Sequence, residues 1–431
     1  MESFLIVIAD DLTGGMDTGA GFAAHGIPTL MISDPLMLDD PAAIPEDIRA
    51  LSVNTASRAL GPQESYGRVA QWAQRLARFP IRRVYKKIDS TLRGRIGEEI
   101  DAVMDVLGIP LALIAPAFPE QGRCTVGGIH CMDGQPIGAT EIRHDPVMPV
   151  SESRVPALLE AQSRRSAALI DLITVVSGMH ALRDAISRQM ATGAQLMVFD
   201  AVRREHLRTI AKVALDRGRD ALAVGSAGLA REIAGEIGPH ASRRLSSIRK
   251  GLPGGPVLVI CGSRSRRSIQ QIARLCGVAG SHRVLLRPGL STGEISFSTG
   301  ELTRAAEAVG RSLHSGSAVL TVDIDEPDRA RPHSLLPGRI VAALAAVGRM
   351  VMDSRNLPPG GLVLTGGDTA CAVLQKLEIG VLELAGEIAP GLPLAFSRSP
   401  AFPGLPVITK AGAFGGPEAV VRCVRYLEKK T

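Results

Sequence analysis

Aromatic side chains make up 3% of the 431 residues, with a single tryptophan, Trp72. That scarcity argues against stacking platforms for single-stranded nucleic acid. Lysine is scarce as well: eight of the 49 basic residues, the other 41 being arginine. The arginines are scattered and not gathered in blocks. The net charge of +6 therefore fits a modest positive field for anionic substrates better than a nucleic-acid surface. Six cysteines, at 124, 131, 261, 276, 371 and 423, include no C-x-x-C pair, so the common zinc and dithiol motifs are missing. No apolar run reaches the length of a membrane-spanning helix. Met1-Glu2-Ser3-Phe4 leads straight into a strand without a basic segment or cleavage site, so a cytoplasmic protein with reduced thiols and no membrane partner is expected. The P-loop pattern GxxxxGK[ST] does not occur, and Asp17-Thr18-Gly19-Ala20-Gly21 has the wrong spacing and setting for a dinucleotide fingerprint.

What is present is ordinary globular composition, 45% apolar and 21% charged, over a length that suits two or three domains. Phe4 to Ala9 is a continuous apolar run and reads as a buried parallel strand. A helix is expected from about Met16 to His25, strands at 29–33 and 48–54, a helix at 63–79, a strand at 83–87, a helix at 96–107 and a strand at 111–115. After a proline-rich connection (141–154), strands are expected at Leu169-Ile170, Val175-Val176, 196–200 and 221–224, with helices near 181–190 and 204–217. The polar, then Gly/Pro-rich stretch Pro239 to Pro256 reads as a boundary. The pattern restarts with Val257 to Cys261 and strands at 284–287, 318–322, 362–365 and 406–409. This alternation predicts an α/β protein of two domains, residues 1–240 and 257–431, joined by a linker at 241–256, each an open, mainly parallel sheet flanked by helices. Ligands then belong beyond the carboxyl ends of the strands, where Asp10, Asn54, Lys87 and Pro116 fall.

The run Lys86-Lys87-Ile88-Asp89-Ser90-Thr91-Leu92-Arg93-Gly94-Arg95 stands out because two of eight lysines adjoin. Cations, a carboxylate and hydroxyls at a strand end suit a small hydroxylated anion, whereas a solvated loop would not need both signs beside Ser and Thr. Asp10-Asp11-Leu12-Thr13-Gly14-Gly15 places two carboxylates on a strand-to-glycine turn. One is expected to cap the following helix and the other to orient or deprotonate a hydroxyl, or to help hold Mg²⁺. His130 reads as a satisfied structural histidine. In the second half, Gly262-Ser263-Arg264-Ser265, Gly366-Gly367-Asp368-Thr369 and Lys410-Ala411-Gly412 each follow a strand. Three such turns in one sheet suggest a nucleotide site made of backbone amides.

Taken in order, IADDLTGGMDTG, KKIDSTLRGRIGEEI, APAFPEQGR, GGIH, DPVMPVSES, AVGSAGLA, GSRS, LTGGDTA, GEIAPGLP and KAGAFG resemble the four-carbon acid sugar kinase family across nearly the whole chain. The resemblance implies ATP-dependent phosphorylation of a tetronate or 3-oxo-tetronate at its terminal hydroxyl. It also implies an N-terminal domain for the acid, a C-terminal domain for ATP, and an active site in the cleft between them. By motif position it places substrate contacts at Lys87, Asp89, Ser90 and Arg93, with Arg93 and Lys87 toward the carboxylate, and Asp10 or Asp11 as the catalytic carboxylate. Nucleotide contacts would fall at Ser263, Ser265, Gly366, Gly367, Asp368, Thr369 and Gly412, with Mg²⁺ on the phosphates. The chain departs from the family pattern at Met16, Arg95 and Cys124. A rival reading from another class is a sensor that binds acid and nucleotide without turnover. Stereoisomer, metal ligands and oligomeric state are left open.

Overall fold

An apolar run without alternation, such as Phe4-Leu5-Ile6-Val7-Ile8-Ala9, needs cover on both faces, and every residue of it is buried. The computed structural model describes residues 4–145, 147–238, 245–278, 280–287, 289–291, 294–322, 336–354, 359–412 and 414–429. Its contacts divide the chain into two units, Met1–Ser242 and Arg243–Thr431.

The first unit begins with β1 (Phe4–Ala9), α1 (Leu12–Ala24), β2 (Thr29–Ile32), β3 (Ala50–Asn54), α2 (Pro62–Leu76), β4 (Ile81–Lys87), α3 (Ile96–Leu107) and β5 (Leu111–Ala115). A small antiparallel ribbon follows, β6 (Arg123–Val126), β7 (Ile129–Met132) and β8 (Gln135–Pro136). Then come α4 (Val155–Gln162), β9 (Ala167–Ile170), α5 (Leu172–Val176), α6 (Met179–Ala191), β10 (Leu196–Phe199), α7 (Arg204–Arg217), β11 (Ala221–Gly225) and α8 (Ala227–Ile237). The main sheet runs β2-β3-β1-β4-β11-β5-β10-β9, and each of these pairs is parallel. Val7, Phe22, Tyr85, Leu113 and Phe199 share one buried cluster between sheet and helices.

The second unit holds α9 (Leu245–Gly251), β12 (Val257–Cys261), α10 (Arg266–Cys276), β13 (Ser281–Leu286), the short pair β14 (Gly289–Ser291) and β15 (Glu294–Ser296), α11 (Thr299–Ser315), β16 (Ser317–Val322), α12 (Leu336–Asp353), β17 (Gly361–Thr365), α13 (Gly367–Lys376), β18 (Val381–Glu387), β19 (Pro393–Ser397), β20 (Pro406–Lys410) and α14 (Ala419–Leu427). The order β13-β16-β12-β17-β20 is parallel; β19 and β18 add to it antiparallel. Val259, Val363, Ile408 and Val420 lie in its core. Among the described residues no helix is long and apolar enough to cross a membrane.

The structure departs from the expected elements in several places. Helix α1 starts at Leu12 instead of Met16, because Asp11 caps it through the Gly14 amide. Val175-Val176, expected as a strand, ends α5: Asp171 accepts from the Thr174 amide and starts a helix despite the β-branched pair. The stretch from Arg123 to Met132, for which no strand was expected, forms the β6–β7 ribbon, folded over Gly127 and Gly128 with φ of 59° and 76°. That left-handed pair makes the tight hairpin turn for which L-residues are strained. Of the linker stretch, residues 239–244 lie outside the described residues, and Leu245–Gly251 is helical.

Candidate active site

Strands β3, β1 and β4 are neighbours, so their carboxyl ends set Asn54, Asp10 and Lys87 side by side. The chain leaving β3 folds over the end of β1: the Thr55 amide donates to Ala9 O (2.9 Å), and the Ser57 and Arg58 amides both donate to Asp10 O (3.0 and 3.2 Å). This backbone path delivers Arg58 onto the acidic pair. Its Nε donates to Asp10 Oδ2 (2.7 Å), and its Nη2 to Asp10 Oδ1 (2.9 Å) and Asp11 Oδ1 (2.7 Å). Asp89 Oδ1 lies 3.9 Å from the same Nη2. One guanidinium thus relieves the repulsion between two adjacent carboxylates.

Asp11 also accepts from the Gly14 amide and, at Oδ2, from the Thr13 hydroxyl (2.5 Å). Burial alone would raise its pKa, but Arg58, Lys87 and the Thr13 bond hold it below the ordinary carboxylate value. Lys87 is buried; its Nζ donates to Ile88 O at 2.7 Å. A Cβ on Gly14 would stand 2.5 Å from Asp11 Oδ1 and 3.1 Å from Lys87 Nζ, so glycine is required for carboxylate and ammonium to lie against the first turn of α1.

Lys86 has a different job. Its Nζ meets Glu99 Oε2 at 2.7 Å with both side chains buried, and it also donates to Ile8 O and Lys87 O. Glu99 Oε1 accepts from the Ser57 and Ser65 hydroxyls (2.6 and 3.0 Å). The first lysine of the pair is therefore a fully partnered ion inside the unit, which corrects the expectation that both cations face a ligand.

Beyond Lys87 the chain turns tightly, with Leu92 at φ 62° and Gly94 at φ 106°. Asp89 gathers the turn: it accepts from the Thr91 amide and hydroxyl and from Arg93 Nε (2.9 Å) and Nη2 (3.2 Å). Arg93 reaches a second carboxylate, Asp145, through Nη1 (3.1 Å). Burial pushes the Asp89 carboxyl up, but Arg93 and Arg58 outweigh it and leave it well below the usual range. Asp89 in turn raises the pKa of the Arg93 guanidinium. The Ser90 hydroxyl makes no hydrogen bond among the described residues. The Ser90 carbonyl accepts from His130 Nε2 (2.9 Å), while His130 Nδ1 meets the Thr125 hydroxyl (3.0 Å). Burial lowers the His130 pKa to about 4, so this imidazole is neutral, with its proton on Nε2 facing the carbonyl. It is a structural histidine, as the sequence suggested, and it ties the ribbon to the Asp89 turn.

In the second unit the carboxyl ends of β12, β17 and β20 come together. Ser265 caps α10 through the Ser268 amide (3.1 Å), and its hydroxyl donates to Gly412 O (3.0 Å). Ser268 Oγ donates to Ser263 Oγ (2.9 Å) and Gly412 O (2.6 Å). Lys410 is buried and spends its ammonium on Ala411 O and Gly412 O (2.9 Å each) and Phe414 O (3.4 Å); burial lowers its pKa to about 8. The turns touch where glycine leaves room. A Cβ on Gly262 would come within 2.4 Å of Thr369 Oγ1, and one on Gly412 within 2.4 Å of Ser263 Oγ. Gly366, at φ 102°, caps α13 without a side chain, so the first amides of that helix stay open. Asp368 and Thr369 in that turn make no side-chain hydrogen bond or ion pair among the described residues. A cavity of about 100 Å³ opens beside Gly262 and Ser263, walled by Ile269, Ile272 and Val322.

The sequence-derived acid residues Asp10, Asp11, Lys87, Asp89, Ser90 and Arg93 thus belong to one charge-matched rim. Ser263, Ser265, Gly366, Gly367, Asp368, Thr369 and Gly412 belong to one set of glycine turns in the other unit. Sequence reasoning missed Arg58 and Asp145. Among 41 arginines Arg58 carries no contrast, while Asp145 lay inside the run DPVMPVSES and was legible as part of it.

Known proteins resemble this chain over nearly its whole length. A family model described as a sugar-binding N-terminal domain matches residues 5–233, and one described as a nucleotide-binding C-terminal domain matches residues 258–420. A D-erythronate kinase of Heliobacterium modesticaldum is 32% identical over 99% of this chain and 98% of its own. A D-threonate kinase of Cupriavidus necator is 35% identical over 96% of each. A crystal structure from Salmonella typhimurium LT2, 24% identical, superposes with a TM-score of 0.79 over 98% of both chains and shares the fold.

Proposed function

The chain belongs to the four-carbon acid sugar kinase family and is an ATP-dependent phosphotransferase for a four-carbon acid, and on that premise we propose that it phosphorylates the terminal hydroxyl of threonate, erythronate or 3-oxo-tetronate to the 4-phosphate. The observation that carries the reading is Asp11: an ionised carboxylate, anchored by Arg58, lying against the same glycine turn as the Lys87 ammonium.

Phosphoryl transfer requires positioning and charge neutralisation more than covalent help. In this reading the substrate hydroxyl donates to Asp11, which points its oxygen lone pair at the γ-phosphorus. A carboxylate of lowered pKa is suited to orienting a hydroxyl whose proton departs late, and less suited to removing it early. Asp10, bound on both oxygens by Arg58, positions Asp11 through that guanidinium. Lys87 offsets charge at the reacting end. Asp89, Ser90 and Arg93 form the turn against which the acid lies, with the Ser90 hydroxyl as the uncommitted donor. The O–P bond to the acid forms as the bond between γ-phosphorus and the β,γ-bridging oxygen breaks, releasing ADP.

On the nucleotide side, the open amides of Gly367, Asp368 and Thr369 fit phosphates, and glycines at 262 and 412 let the neighbouring turns pack close beside them, since a Cβ there would strike Thr369 Oγ1 or Ser263 Oγ. Mg²⁺ also fits there: Asp368 offers a carboxylate with no partner among the described residues, and the ion characteristically combines one or two carboxylates with phosphate oxygens. Bound there, it would neutralise phosphate charge.

The test is ADP release by coupled assay, with Mg-ATP and a panel of the four tetronate stereoisomers and 3-oxo-tetronate. Turnover of one member is the expected outcome and names the substrate. ATP binding by calorimetry with silence across the panel would instead favour a non-catalytic sensor or a different acid.

A further inference from the structure

Three guanidinium groups act on the Asp89 carboxylate: Arg93, Arg58 and Arg123. The first two are matched, Arg93 by Asp89 and Asp145, Arg58 by Asp10 and Asp11. Arg123 is not. Among the described residues it forms no salt bridge; its Nη1 donates to Gln121 O, and its Nε is buried with no hydrogen-bond partner.

Its position is fixed firmly. Arg123 opens β6 directly after Gly122, whose left-handed φ of 73° and closeness to Asp133 (a Cβ would sit 2.0 Å from Oδ1) set the entry to the strand. Phe118 and Arg123 exchange two backbone bonds, of 2.9 and 3.1 Å. The ribbon is pinned at its turn by Asp200, which accepts from the Gly127 and Gly128 amides (2.7 and 2.9 Å), and to the Asp89 turn by His130. A half-buried cation with an unused donor on such a rigid base carries a desolvation cost that an anionic ligand would remove. A planar guanidinium suits a carboxylate, which it can meet with two parallel hydrogen bonds.

We infer that Arg123 receives the carboxylate of the four-carbon acid, so that the acid lies with that end toward β6 and its terminal hydroxyl toward Asp11 and Lys87. Arg93, already held between two carboxylates, then acts as a positioning residue for the Asp89 turn and not as the carboxylate anchor. The assignment rests on the kinase reading above and adds the polarity with which the substrate lies.

The experiment compares the accepted tetronate with the uncharged tetritol of the same configuration, in wild type, Arg123→Gln and Arg123→Lys. Wild type should prefer the acid strongly in kcat/KM. Arg123→Gln should raise KM for the acid about 100-fold, as expected for loss of a charge-assisted contact. Its kcat and its KM for ATP should stay near wild type, and its preference for acid over tetritol should fall toward unity. Arg123→Lys should recover part of that preference, which a merely structural arginine would not require. A folded Arg123→Gln with an unchanged KM for the acid overturns the assignment. So does a wild-type enzyme that takes tetritol and tetronate equally, a result that needs no variant to fold. Wild-type protein that turns over no tetronate removes the kinase reading and this assignment together; turnover in wild type with an indifferent Arg123→Gln removes this assignment alone.

Discussion

The two units arrange the polar groups at their strand ends by opposite means. In the first, two arginines are each held between two carboxylates: Arg58 between Asp10 and Asp11, Arg93 between Asp89 and Asp145. In the second, the Lys410 ammonium at the end of β20 is spent on backbone carbonyls, and the open donors are helix amides behind glycines. Fixed charges at set distances can distinguish one small hydroxylated acid from another. Amides at a helix start accept phosphate whatever is attached to it. The two sites should therefore fail differently. The first is broken by taking atoms away, the second by adding them.

The largest effect should come from taking away a partner of a buried ion. Glu99→Gln leaves the Lys86 ammonium facing a neutral amide inside the first unit, and removing one member of such a pair costs about 3–5 kcal/mol. Chemical denaturation should show the loss, and hydrogen exchange should confine it to residues 4–238; a loss below 1 kcal/mol would mean the pair is solvated. Next comes a crossed pair of variants. Asp11→Asn should lower kcat by about 100-fold, in the range seen for losing a positioned acid–base group, and leave KM for ATP alone. Gly412→Ala, whose Cβ would collide with Ser263 Oγ at 2.4 Å, should raise KM for ATP by about tenfold, an order-of-magnitude expectation for a strained phosphate loop, and leave KM for the acid alone. If either variant moves the other's parameter, the sites are not independent.

A gradual effect, spread over pH, separates the units. His130 titrates near 4 when folded and near 6.5 when unfolded, so between those values the unfolded chain takes up a proton that the folded chain refuses. Its contribution to stability rises with pH across that window, by at most about 1.4 kcal/mol per pH unit, and is level above it. Lys410, lowered to about 8, acts the same way in a window from about 8 to 10.4. Denaturation from pH 4 to 10 should show the first unit gaining stability on the acid side and the second on the alkaline side. His130→Asn should flatten the acid limb.

How much of this was legible in the sequence depended on whether a signal was contiguous. Asp10-Asp11, the lysine pair with its Asp-Ser-Thr, and the three glycine turns each fall within a few residues. Each also stands out from its background, so both sites were visible in outline. Arg58 was not, because it reaches the acidic pair through loop hydrogen bonds to Ala9 and Asp10 carbonyls, a tertiary fact. The two lysines looked alike in sequence, and packing against Glu99 rather than chain position separates them. The fold was read from apolar runs and alternation, which served for the parallel strands. It passed over β18, an antiparallel strand whose burial alternates, and β19, a short antiparallel strand that opens on Pro393, and mistook Val175-Val176, where a capping aspartate outweighed β-branching.

The chain of alternating charges from Asp10 through Arg58 and Asp11 to Asp89, Arg93 and Asp145 also bears on descent. Each member has at least one neighbour that would be stranded by its loss, so effects of single changes there are strongly non-additive. A lineage drifting toward a new substrate cannot readily walk through that network one replacement at a time. Its open paths are the positions outside the chain, such as Ser90, whose hydroxyl has no partner among the described residues, and there related enzymes should be found to diverge first while positions 10, 58, 89, 93 and 145 stay fixed or change together.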